Sequence, residues 1–145
     1  MVFQERTYSV LLVSASDKFN ATTTTLLPVT DYWPVTTVKS IAEAKRRLLD
    51  QPYDIILINA PLPDDFGMRL AIDACNESGA GVLLLVKSEH YNDIYSKVVG
   101  YGVMTLSKPT TLQMVSQTLR VLCATRERLR KVEERGVEFR SHLDG

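Results

Sequence analysis

The chain has 145 residues, 45% of them hydrophobic and 23% charged, and its 17 basic and 17 acidic residues give a formal net charge of +0. That is the composition of one globular domain with enough apolar content for a proper core. It argues against a nucleic-acid or membrane surface carried by overall charge, and the longest apolar runs are far too short to span a bilayer.

The stretch from Met1 to Thr7 is polar and charged. It lacks the apolar run of a signal peptide, so a cytoplasmic protein is expected. Cys75 and Cys123 have no metal-ligand spacing and fall in helix-like segments. They read as small apolar residues in a reducing compartment.

Val10 to Val13 forms the first apolar run and predicts a buried strand beginning near Tyr8. Ser16 or Asp17 caps a helix expected from Lys18 to about Leu27, weakly encoded because Thr22 to Thr25 are poor helix formers. Pro34 to Val38 is β-branched and predicts the second strand. Ser40-Ile41-Ala42-Glu43 is a capping box that starts a helix running to Asp50.

Tyr53 to Ile58 reads as a third strand buried on both faces, with polar Asn59 at its carboxyl end. Pro61 and Pro63 mark a loop, and a helix is expected from about Asp65 to Asn76. Gly79-Ala80-Gly81 is a turn before the strand Val82–Val86. Ser88 caps a helix through Val99, Gly100-Tyr101-Gly102 breaks it, and Val103–Leu106 is a short fifth strand.

Strands alternating with helices imply right-handed crossovers: an α/β, flavodoxin-like, five-stranded parallel sheet with helices on both faces. In such sheets chemistry sits where strands end, which directs attention to Asn59.

The final helical pattern continues from Thr111 to about Leu143. That is longer than a helix that merely covers a sheet. Val115, Leu122, Leu129, Gly136 and Leu143 recur every seven residues, and Thr125, Val132 and Phe139 fall three residues after members of that series. The pattern predicts a coiled-coil seam with Val115, Leu122, Leu129, Val132 and Phe139 at a homodimer interface. The expected organisation is therefore a domain over residues 1–122 and a helical extension over 123–145.

The first apolar strand, the Asp54…Asn59…Pro63…Gly67 segment and the Lys108-Pro109 pair together resemble a response-regulator receiver domain, over roughly Tyr8 to Leu122. The resemblance implies a phosphoacceptor aspartate after the third strand, an acidic pair after the first that helps hold magnesium, a hydroxyl after the fourth, and an aromatic and a lysine at the fifth. Those positions fall here on Asn59, on Ser14 and Ala15, on Val86, on Thr105 and on Lys108. Only the lysine is kept.

An amide nitrogen is not a nucleophile at neutral pH, and magnesium wants hard oxygen ligands, usually carboxylates. Lys108 alone would have to neutralise a transferring phosphoryl group. The chain is thus expected to be a degenerate receiver and not an enzyme, with no cofactor and no metal. Lys108 is expected to bond Asn59 or strand-end carbonyls.

A degenerate receiver running into the charged helix Ala124–Arg135 is similar to the N-terminal part of ANTAR-type antitermination regulators. That resemblance implies a dimer that regulates transcription through an RNA-binding output module, and nothing after Arg135 reads as that module. RNA would be reached only through it, and an output domain or regulatory protein is the other partner expected.

Two alternatives stand beside this reading. One is a phosphoacceptor that uses another carboxylate such as Asp17. The other is a small-ligand slot lined by Ser14, Asn59, Val86 and Lys108, although no Gly-rich phosphate loop follows the first strand. His90 and His142 have no evident nucleophile or metal partner and read as surface residues.

Overall fold

The structure, a computed structural model, describes residues 6–144, with side chains through residue 136. Five strands and five α-helices alternate along the described residues. They are β1 (Tyr8–Val13), α1 (Asp17–Thr24), β2 (Tyr32–Val38), α2 (Ile41–Asp50), β3 (Ile55–Asn59), α3 (Met68–Ser78), β4 (Gly81–Lys87), α4 (Tyr91–Val98), β5 (Met104–Lys108) and α5 (Leu112–Asp144). The strands pair in parallel in the order β2-β1-β3-β4-β5.

Side-chain alternation along the central strands builds two cores. Leu11, Val13, Ile56, Ile58, Leu84 and Val86 face α2, α3 and α4. Val10, Leu12, Ile55, Leu57, Leu83 and Leu85 face α1 and α5. Burial on both faces explains why these strands read as continuous apolar runs.

Element ends differ from the sequence expectations for local reasons. Helix α1 stops at Thr24, three residues early, because Thr22, Thr24 and Thr25 turn their hydroxyls back onto the carbonyls of Lys18, Asn20 and Thr22. Helix α3 starts at Met68 because Gly67 is left-handed (φ 107°) and its N–H donates to the Asp65 carboxylate. A 3₁₀ turn over Ser88–His90 precedes α4, which ends at Val98 and passes into a second turn at Val99–Tyr101. Strand β5 extends to Lys108 and so makes that lysine a strand residue.

The seam expectation needs correction at two of its members. Val115 and Leu122 are 3% and 5% exposed, packed with Leu119 and Cys123 against the sheet, so this molecule's own core takes them out of any dimer interface. The apolar stripe there has the helical spacing of a sheet-covering helix, which overlaps a heptad over two turns. Leu129 is half-exposed and reaches the loop at Gly79, Val132 is 61% exposed, and Phe139 lies outside the described side chains. No helix among the described residues is long and apolar enough to cross a membrane.

Candidate functional site at the carboxyl ends of the strands

Parallel pairing brings the carboxyl ends of β1, β3, β4 and β5 to one edge. Val13 is level with Ile58, Asn59 with Leu85, and Lys87 with Lys108. Ser14 follows β1 directly, Asn59 ends β3 and Lys108 ends β5, so the three residues meet.

A chain of hydrogen bonds links them. The Lys108 ammonium donates to Asn59 Oδ1 at 2.7 Å and to the Ala60 carbonyl at 2.6 Å. Asn59 Nδ2 donates to Ser14 Oγ at 3.2 Å, which also accepts the Ser16 N–H at 3.3 Å. Asn20 Nδ2 holds the Ser14 carbonyl at 3.0 Å. Ser14 and Asn59 are buried. Burial, and secondarily the neighbouring Lys87, holds the Lys108 ammonium below the usual lysine range.

The other positions contribute no charge. Val86 is fully buried in the core under α3 and α4, and Ala15 is an exposed methyl. Thr105 is buried, and its hydroxyl has no hydrogen-bond partner among the described residues.

The carboxylates near this edge are committed elsewhere. Asp17 pairs with Lys39 at 2.9 Å. Asp64 accepts the N–H groups of Ile41 and Ala42 at the start of α2, which holds its carboxyl below the usual range. Asp65 caps Gly67.

This edge does not fit a magnesium ion. Its oxygens come from one amide, one hydroxyl and backbone carbonyls, and an ammonium already sits on two of them. No cluster of three His, Cys, Asp or Glu that could hold a metal occurs among the described residues. His90 is on the surface with its ring edge-on to Phe66. Burial pushes the Cys75 and Cys123 thiols up to about 11, which keeps them protonated and unreactive at neutral pH.

A second polar cluster lies at the opposite end of the sheet. Asp54 accepts from the Ser9 N–H, from Arg6 at 3.2 Å and from Arg126 at 3.4 Å. Glu127 accepts from Arg6 at 3.2 Å and from the Tyr8 hydroxyl at 3.0 Å, and it pairs with Arg130. These contacts hold α5 on the body beyond its buried stripe. The sequence signal was a lone Asp54 ahead of an apolar strand, but its partners lie 45 to 72 positions away.

No protein-family model matches the chain, and no curated protein matches it by sequence. Solved structures do match. An adenylate cyclase structure from Rhodopirellula baltica aligns with a TM-score of 0.79 at 20% identity, over 89% of this chain and 96% of that one. The signal receiver domain of an HD domain-containing protein from Pseudomonas fluorescens Pf-5 aligns at 0.76 and 20% identity, over 90% and 97%. A CheY-like response regulator receiver domain from Methylobacillus flagellatus aligns at 0.67 and 19% identity, over 81% and 99%. Likeness at this identity is one of fold. The chain has the CheY-like, flavodoxin-like receiver fold, with a C-terminal helix prolonged beyond it.

Proposed function

We propose that this chain is a response-regulator-like signalling module that works without phosphorylation. The observation that carries the reading is the Lys108–Asn59–Ser14 chain of hydrogen bonds. A neutral amide stands at the phosphoacceptor position, and the lysine that would meet a phosphoryl group is bonded to that amide and to a backbone carbonyl. Without a carboxylate nucleophile and a magnesium site, phosphoryl transfer has neither its attacking group nor its charge neutralisation. Phosphoacceptance by Asp17 is the weaker reading, since that carboxylate is exposed and meets Lys39, while Lys108 is bonded to Asn59 and Ala60.

In this reading the degenerate switch leaves the receiver scaffold as an interaction module over residues 1–122. The helical extension over 123–145 joins two copies through the part of the seam that the core does not use, beginning at Leu129 and Val132. The resemblance to ANTAR-type regulators extends the reading to transcription antitermination in the cytoplasm, with RNA contacted by an output module rather than by this domain.

The test is incubation of the purified chain with acetyl phosphate and magnesium, read by intact mass. The expected mass is unchanged. A stable adduct of one phosphoryl group overturns the reading.

A further inference from the structure

Beside the closed Lys108–Asn59–Ser14 chain lies an open cleft of about 320 Å³ between α1 and the start of α5. That volume is at the lower end of the range for small-molecule sites, roughly 300–1,000 Å³. Its floor is apolar, formed by Phe19, Leu26, Leu112 and Val115. The polar groups that line it include Lys18, Lys108, Ser16 and Thr111, and no carboxylate is among its lining residues.

The polar lining presents donors. Lys108 gives two of its N–H groups to Asn59 and Ala60 and keeps a third. The Ser16 hydroxyl accepts the Phe19 N–H at 3.2 Å, and the Thr111 hydroxyl accepts the Met114 N–H at 3.1 Å. An oxygen that accepts at a helix cap still has its own proton to give. Two lysines and two hydroxyl residues along the edge of a mainly apolar cleft match an anionic head on an apolar body.

We propose that this cleft binds a small free carboxylate with an apolar tail. The carboxylate takes the Lys18 and Lys108 ammonium groups and the cap hydroxyls, and the tail lies on Phe19, Leu26 and Val115. The slot expected from sequence, among Ser14, Asn59, Val86 and Lys108, is filled by its own hydrogen bonds and a buried valine, so the usable space opens one helix away. The site deepens the signalling reading by supplying an input, and it rests on that reading only for this role. Binding is followed by amide shifts and phosphoryl transfer by mass, so either can fail without the other.

The test is an NMR amide titration of the full chain with sodium octanoate below its micelle concentration, alongside octan-1-ol and inorganic phosphate. Octanoate is expected to shift Phe19, Thr22, Thr110 and Leu112 saturably, with octanol weaker and phosphate leaving them in place. Lys18→Glu changes an exposed side chain, so the fold is kept, and it should weaken octanoate by at least about threefold. The proposal is overturned if octanoate shifts nothing, shifts residues outside the cleft, binds no better than octanol or phosphate, or binds the Lys18→Glu variant equally well.

Discussion

Lys108 ties β5 to β3 through Asn59 and Ala60, and Asn59 ties β3 to β1 through Ser14. A single ammonium therefore satisfies two acceptors at a buried strand edge. Lys108→Met would leave Asn59 Oδ1 and the Ala60 carbonyl without that donor. Orphaned acceptors of this kind cost about 1–3 kcal/mol, and relief from burying the ammonium places the expected loss at the lower end. Urea unfolding of the variant checks it, and a change below roughly 0.5 kcal/mol would mean that water replaces the lysine at no cost. Asp64 shows the limit of reading single residues from local context. It stands just before α3 in the chain, yet its carboxylate takes the Ile41 and Ala42 N–H groups of α2. Ser40 and Glu43 were legible as a cap because both lie within one turn, and Ser40 does accept the Glu43 N–H.

Helix α5 is held on the sheet by two different means. Its first turns bury Val115, Leu119, Leu122 and Cys123 against β3 and β4. Close approach favours the glycine at the start of β4, since a Cβ at Gly81 would stand a tight 3.0 Å from Ile55 Cδ1 and 3.1 Å from Leu122 Cβ. Beyond that stripe the hold is ionic, centred on Glu127. Hydrogen bonding from Arg130, aided by Tyr8 and Arg6 and opposed by burial, depresses the Glu127 carboxyl from 4.5 to about 2. A carboxyl lowered on folding contributes stability above its unfolded pKa and loses it as pH falls through the folded value. The contribution is therefore fully present above pH 4.5 and fades toward pH 2. Comparing urea midpoints of the parent and Glu127→Gln across that window isolates it from the other acids. The gap between the two should narrow as pH falls, and should shrink in high salt because the cluster is partly exposed. Curves that stay parallel would remove Glu127 as the source.

For the molecule as a whole, the question is whether two copies associate. The repeat from Val115 to Phe139 looked like one seam, but its first half covers this chain's own sheet. Association through this seam would use the part past the body. Leu129 is a compromised probe, because its Cδ2 lies 3.2 Å from where a Cβ on Gly79 would stand and a charge there would disturb that packing too. Val132 is 61% exposed and tests the seam alone. Val132→Asp should convert a dimer to a monomer by light scattering while leaving the unfolding midpoint of the body in place. A parent that is already monomeric at high concentration, or a variant still dimeric, would remove the helix as the dimer contact.

Sequence alone determined the strands, the parallel α/β class, the capped start of α2 and the absence of a carboxylate on Ser14, Ala15 and Asn59. These follow from local periodicity, caps and side-chain chemistry, which need no knowledge of what lies across the fold. Tertiary structure decided which donor meets which acceptor: Lys108 donates to Asn59, the α2 N–H groups donate to Asp64, and Arg6 and Tyr8 donate to Glu127. It also decided that Val115 and Leu122 face inward and that the open cleft lies between α1 and α5. An apolar stripe states that a surface must be buried, and only the packed chain states what buries it.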